Sequence, residues 1–143
     1  MVDISPKEVI VREARAEGEI KLKPSTIARL RSNRIEKGDA IAAAEIAAVM
    51  AAKNTPHILP LCHNIPISTV STTQYFRKDT IRVESYVKGQ AKTGVEMEAL
   101  TAAAAFLLTI WDMTKQYEKD ANGQYPTTSI TYLRVKEKVK RKS

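Results

Sequence analysis

The sequence predicts an α+β domain in which a four-stranded antiparallel sheet carries helices on one face. Three observations point there: a long period-two alternation near the N-terminus, two β-branched segments joined by a short basic turn, and a later helix that is apolar almost all round. With 143 residues the chain can bury one core without splitting, so a single domain is expected over 1–143.

The elements follow in order. "EVIVREARAEGEIKL" alternates around Val9 and Val11, with Glu13, Arg15 and Glu17 on one side and Ala14 and Ala16 on the other, which predicts a strand from about Glu8 to Leu22. Pro24 and Ser25 open a helical stretch holding Ile27 and Leu30, and Gly38 breaks it. A second helix from about Asp39 to Lys53 is rich in alanine, which permits close packing. "NTPHILPLCHNIP" is punctuated by Pro56, Pro60 and Pro66 and reads as a turn-rich connection. "ISTVSTTQYF" and "DTIRVESYVK", separated by Arg77 and Lys78, form a hairpin pattern. The helix of "KTGVEMEALTAAAAFLLTIWDMTK" comes next, then the loop "DANGQYP" and a last strand over "TSITYLRV". The order β-α-β-β-α-β is that of the ferredoxin-like split βαβ arrangement. The face of the hairpin opposite Ile81 and Val83 carries Arg82, Glu84, Tyr86 and Lys88, polar enough for water and open to a second subunit.

Charge is concentrated at one end. From Arg134 onward six basic residues face one acid, a net +5 out of the chain's +7, so the body is nearly balanced. This C-terminal run reads as a solvated tail from about 134, with an arm for an anion or an acidic neighbour as the alternative. The longest apolar run, around Ala102 to Trp111, is too short to span a bilayer, and "MVDISPKEVIVRE" lacks the pattern of a secretory signal. A cytoplasmic setting is expected, and the single Cys62 agrees with a reducing compartment. Nucleic-acid binding is disfavoured: the aromatic-glycine consensus of RNA-binding ferredoxin-like domains is missing from "TIRVESYVK", and most of the excess charge is in the tail.

Three constellations carry chemical promise. His63, in "PLCHNIP", is either a proton-transfer group near neutral pH or a loop histidine bonded to backbone, while Cys62 reads as a buried small residue rather than a nucleophile. On the long helix, Glu98, Thr101, Ala102, Ala105, Leu108, Asp112 and Lys115 fall on one side of a 3.6-residue period. Glu98 and Asp112 are nonetheless about 21 Å apart along the axis at 1.5 Å per residue, too far to serve one small reacting centre in a straight helix. Two sites, a long ligand, or a second copy of the chain would each reconcile them. Asp112 and Lys115 are either a surface i, i+3 ion pair or an acid/base pair with pKa values drawn toward the working pH. Met97, Leu100, Leu107, Ile110, Trp111 and Met113 are expected to pack in the core or an interface. The third group is the scattered cations Arg12, Lys37 and Lys53, which together suit phosphate, although no glycine-rich phosphate loop accompanies them.

Taken together, "MVDIS", "VREARAEG", "KGDAIAAAEIAAVMAAK", "LPLCHNIPI" and "TGVEMEALTAAAAFLLTIWDMTK" make the chain resemble the MoaC family of molybdenum cofactor biosynthesis, the cyclic pyranopterin monophosphate synthases, from residue 1 to about residue 120. The resemblance implies a ferredoxin-like fold and a homohexamer built from dimers, with sites at the dimer interface. It implies a lyase that converts 3′,8-cyclo-7,8-dihydro-GTP to cyclic pyranopterin monophosphate and pyrophosphate, with a small nucleotide-derived substrate and neither nucleic acid nor membrane as partner. No resident cofactor or protein metal site is inferred, and a divalent cation accompanying the phosphates is left open. Carried over by motif, the catalytic residues are Asp112 and Lys115. Substrate-binding positions fall on Leu61, Cys62 and His63, on Glu96, Met97 and Glu98, and on Arg12, Lys37 and Lys53. In this picture Glu98 accepts from a guanine-derived edge, His63 exchanges protons with the intermediate, and the cations meet the triphosphate. The chain departs from the family pattern at Asn64 and Ile65, where many members show proline and leucine. It also ends "VKEKVKRKS" where members often carry a glycine- and lysine-rich segment.

Overall fold

The computed structural model describes residues 1–142. Its strands are β1 (Ile10–Lys21), β2 (Ile67–Phe76), β3 (Thr80–Ala91) and β4 (Ser129–Arg141), and its helices are α1 (Pro24–Arg31), α2 (Ala40–Lys53), α3 (Thr55–Ile58) and α4 (Glu96–Glu118). The sheet order is β2-β3-β1-β4 with every neighbouring pair antiparallel, an α+β fold with the expected ferredoxin-like strand order. The connection between β1 and β2 holds three helical pieces instead of two, because the four residues Thr55–Ile58 close one turn inside the proline-punctuated stretch.

Alternation sorts the sheet into two faces. Ala14, Ala16 and Ile20 of β1 and Ile81, Val83 and Val87 of β3 are buried beneath the helices. Gly18 belongs to the same row, and a side chain there would collide with the Leu107 methyl group of α4 at 2.8 Å, so its absence sets how closely α4 lies on the sheet. On the opposite face no helix packs among the described residues, and charge covers the surface instead. Glu17 pairs with Arg82 at 3.1 Å and with Arg134 at 2.7 Å, Glu84 with Lys136 at 2.8 Å and with Arg15 at 3.5 Å, and Glu13 with Arg141 at 2.6 Å. Arg15 lies over the Tyr86 ring and Arg82 over the Tyr75 ring, which shields the pairs from water.

The segment from 134 is therefore no solvated tail. It continues β4 to Arg141, hydrogen-bonded along β1, and three of its cations, Arg134, Lys136 and Arg141, are counterions to acids on β1 and β3. An edge strand with polar residues on both sides has no period-two signature, which is why composition alone reads it as tail.

The helical layer is organised by small residues. Ala40, Ala44, Ala48 and Ala52 recur every four residues on α2, all of them buried, α2 packs against α4, and Ala99, Ala102 and Ala103 of α4 are buried as well. Asp39 caps α2, its carboxylate accepting from the Ala42 N–H at 3.0 Å. The start of α1 has no such residue of its own, since its N-cap position is Lys23. Glu118, fully buried at the end of α4, does the work: its carboxylate accepts from the Lys23 N–H at 3.1 Å, the Thr26 hydroxyl at 2.5 Å and the Thr128 hydroxyl at 2.6 Å. One carboxylate thus ties α4, α1 and the start of β4 together. Replacing it by alanine strands three buried donors, and we expect Glu118→Ala to cost about 3 kcal/mol in denaturant unfolding at fixed protein concentration. Glu118→Gln, which keeps the volume and one acceptor oxygen, should cost less than half of that; equal losses would show that the complete carboxylate acceptor rather than the volume it fills matters there.

Candidate active site

Two clusters of polar side chains stand at the two ends of α4. The first surrounds its N-terminus. A cavity of about 320 Å³ is lined by Leu61, Cys62 and His63 from the proline-punctuated connection and by Glu96, Met97 and Glu98 from the first turn of α4. These two segments are distant in sequence, and Gly89 helps bring them together. The Pro66 carbonyl oxygen lies 2.5 Å from where a Cβ would stand, so the connection is seated directly on β3.

Glu98 is the most unusual group in the cavity wall. It is 2% exposed, and among the described residues no side chain donates a hydrogen bond to it or pairs with it. Burial raises its carboxyl above the ordinary 4.5, and the charge of Glu96 pushes the same way. Lys53, at the end of α2, shares with Glu98 a second, adjoining cavity of about 230 Å³ that also includes Asn64. The Cys62 thiol is pushed up, first by burial and then by Glu98, which disfavours the thiolate and agrees with a non-nucleophilic role. Met97 is 41% exposed at the cavity rather than packed in the core, whereas Leu107 and Ile110 are core residues as expected.

Arg12 does not line this cavity. It is buried, with Nε donating to the Ala91 carbonyl at 3.1 Å and Nη2 to the Lys92 carbonyl at 3.2 Å, so its guanidinium holds the chain that leads from β3 into α4. Lys7 lies in the wall instead, together with Val2, Ile4, Thr93 and Gly94, none of which the sequence reading singled out. The N-terminal turn that delivers Lys7 is built by the Ser5 N–H donating to Asp3 and by the Lys92 ammonium donating to the Ser5 carbonyl. Asp3, Ser5 and Pro6 are a turn pattern, but nothing local says where such a turn docks.

The second cluster lies near the other end of α4. Lys115 Nζ stands 3.0 Å from Asp112 Oδ1, and Lys37, from the turn before α2, donates to the Asp112 carbonyl oxygen at 2.9 Å and approaches Oδ2 at 3.4 Å. Trp111 packs edge-on against Tyr125 at 5.4 Å, which fixes the following loop beside this cluster. The Asp112 side chain is 60% exposed. Its hydrogen bond from Lys115 holds the carboxyl below the ordinary range, and the same bond raises the Lys115 ammonium. The expectation of pKa values drawn toward neutrality is therefore reversed in the single chain: exposed opposite charges stabilise one another's charged forms, with no desolvation large enough to oppose them.

The two clusters do not merge. α4 is an unbroken helix between Glu98 and Asp112, and the separation of about 21 Å stands. Nor do the two acids share an environment, Glu98 being buried and Asp112 exposed. Among the described residues no group of three His, Cys, Asp or Glu side chains is placed to hold a metal ion, and no helix is long and apolar enough to cross a membrane.

A measurable consequence attaches to Glu98. An acid whose folded pKa is raised favours the folded state below its ordinary value of 4.5, and that contribution is lost as pH climbs through the raised value. Glu98→Gln should therefore unfold at a higher temperature than the wild type at neutral pH, the difference shrinking to nothing near pH 4.5 and below. Melting curves across that window check this, and a neutral-pH Tm that falls on substitution contradicts it.

Comparison with known proteins agrees with the motifs. The chain is 56% identical over 142 residues to a Saccharolobus solfataricus protein named "Probable cyclic pyranopterin monophosphate synthase", covering 99% of this chain and 95% of that one. A protein of the same name from Thermococcus kodakarensis is 51% identical over 140 residues, covering 98% and 90%, and one from Methanoregula boonei is 50% identical over 140 residues, again covering 98% and 90%. The profile described as the MoaC family matches residues 1–140, which with these near-full-length identities establishes that the chain belongs to the MoaC family.

Proposed function

We propose that this chain is a cyclic pyranopterin monophosphate synthase, a lyase that takes 3′,8-cyclo-7,8-dihydro-GTP to cyclic pyranopterin monophosphate and pyrophosphate. The observation that carries the reading is the cavity at the start of α4, which gathers Leu61, Cys62, His63, Glu96, Met97 and Glu98 into one wall. Those are the positions that the family likeness marks as substrate-binding. A volume of about 320 Å³ suits part of a nucleotide, and a cavity open on one side leaves the phosphates outside it.

The residue types suit the chemistry. A buried carboxylate such as Glu98, with no side-chain partner among the described residues, gains two N–H donors from a guanine-derived edge, which offsets the cost of keeping it ionised. His63 moves protons on and off the intermediate. Closing the cyclic phosphate requires a sugar hydroxyl to lose its proton and bond to the α-phosphorus while the bond to the β-phosphate breaks. Asp112 is the base for this step in our reading, and Lys115, Lys37 and Lys53 balance the charge that leaves as pyrophosphate. We assign Arg12 to holding the cavity wall, and no resident cofactor is required; a divalent cation, where one takes part, enters with the triphosphate.

Because Glu98 and Asp112 lie about 21 Å apart on one rigid helix, a complete site needs two chains, with the Glu98 end of one copy facing the Asp112 end of the other. Exposed apolar side chains on the helical layer supply a surface for such packing: Ile46 is 62% exposed, Met50 58% and Leu108 57%. We extend this to a hexamer of three dimers, in which burial at the interface would desolvate Asp112 and Lys115 and bring their pKa values closer together.

Supplying the cyclic dihydro-GTP and following pyranopterin and pyrophosphate by mass spectrometry tests the activity directly; a folded oligomer that turns nothing over ends the proposal. Asp112→Asn and Lys115→Ala should each lose at least about a hundredfold in kcat with assembly intact. The two-chain site makes a sharper prediction. Glu98→Gln and Asp112→Asn, each inactive alone, should recover roughly a quarter of wild-type activity when co-assembled, since half the dimers are mixed and each mixed dimer restores one of two sites. No recovery on mixing would place both residues in the same chain's site.

A further inference from the structure

We propose that Lys138 and Gly94 are positioning residues for Glu96, together holding its carboxylate folded back over Gly94 in the wall of the cavity; the proposal rests on the reading of that cavity as the substrate site. Two independent features converge on the same carboxylate. First, Glu96 fills the space that a side chain at position 94 would need: an added Cβ would stand 1.8 Å from Glu96 Oε1 and 2.9 Å from Oε2. The backbone of Gly94 is not in the left-handed region, so glycine is required here for the space it leaves and not for its conformation. Second, Lys138 Nζ lies 3.6 Å from Oε1 of the same group.

Lys138 is distinctive among the cations of β4. Arg134, Lys136 and Arg141 pair with Glu17, Glu84 and Glu13 on the helix-free face of the sheet. Lys138 sits opposite Ala14, whose side chain is buried beneath the helices, so it belongs to the other face and meets the first turn of α4. The strand that replaces the expected tail thus delivers one ammonium group to Glu96, a residue of the cavity wall. Edge position matters, because a central strand would have buried this lysine.

The consequence for the cavity is electrostatic. Glu98 is faced by Glu96 from its own helix, by Lys53 from α2, by Cys62 and His63 from the connection before β2, and by Lys7 from the N-terminal segment. Glu96 already raises the Glu98 carboxyl, so where its charge sits affects how readily Glu98 ionises. A Glu96 freed from Gly94 or Lys138 can swing into the cavity and add negative charge beside Glu98 and Cys62.

The test uses the full-length protein and two readouts. Cys62 is the chain's only cysteine, so its alkylation by iodoacetamide at mildly alkaline pH, followed by mass spectrometry, reports the cavity's charge without any turnover. Lys138→Met and Gly94→Ala should each slow that alkylation roughly twofold, as the loss of a partly exposed ion pair allows, while Lys138→Arg should match the wild type. Gly94→Ala separates position from charge, since it displaces only the flexible end of Glu96 and leaves Lys138 in place. In the turnover assay Lys138→Met should raise KM for the cyclic dihydro-GTP about threefold with kcat nearly unchanged, and should move the acid limb of kcat/KM to higher pH. Unchanged alkylation in both Lys138→Met and Gly94→Ala overturns the proposal. Absence of turnover by the wild type would overturn the synthase reading alone, with the alkylation rates still deciding the role of Lys138.

Discussion

The antiparallel contact between α2 and α4 is the constraint on which the arrangement of polar groups depends. Lys37, just before α2, reaches Asp112 in the later part of α4, while Lys53, at the end of α2, shares a cavity with Glu98 in the first turn of α4. The two helices therefore run in opposite directions, and at each end of the pair a lysine from the α2 side stands near a carboxylate of α4. Alanine makes this possible. With the buried stripe Ala40, Ala44, Ala48 and Ala52 on α2, the two helices pack closely enough for short reaches such as Lys37 to the Asp112 carbonyl. A bulky residue in the stripe would separate the helices and pull both clusters apart together.

The two clusters have opposite electrostatic characters, and this follows from where α4 is covered. At its start the helix is enclosed by the connection before β2, the N-terminal turn and β3, so Glu98 is buried and its charge is disfavoured. Near its end Asp112 faces outward, and its charge is stabilised by Lys115. One end thus holds a buried acid without a side-chain partner among the described residues, and the other an exposed ion pair. The two-chain site that we propose would cover the second.

Much of the fold was legible because its central strands obey a simple period. β1 and β3 alternate cleanly, since one face packs beneath helices and the other carries charge, and α2 and α4 announce themselves through long apolar or alanine-rich runs. What failed were features defined by distant partners. The basic segment after 134 looked like a tail because its strand character depends on acids at 13, 17 and 84. Arg12 is expected among the phosphate-suited cations, and no local pattern announces the Ala91 and Lys92 carbonyl oxygens that its Nε and Nη2 meet. Lys7 was overlooked because a turn at a chain end gives no local indication of the cavity it lines. The motif segments themselves were visible, and the spacing along α4 already separates Glu98 from Asp112 by about 21 Å, as the unbroken helix bears out.

The unbroken course of α4 also bears on how the protein can vary. A helix advances 1.5 Å and turns about 100° with each residue, so adding or removing one residue between Glu98 and Asp112 would rotate the later acid a quarter turn or more away from Lys37. Glu118 strengthens the restriction, because its buried carboxylate must still reach Lys23, Thr26 and Thr128. Length is therefore fixed inside this helix in a way that it is not in the exposed loop from 119 to 124, where an insertion displaces no buried group. α4 acts as a gauge: it sets one fixed distance between the two polar clusters that the proposed two-chain site has to match.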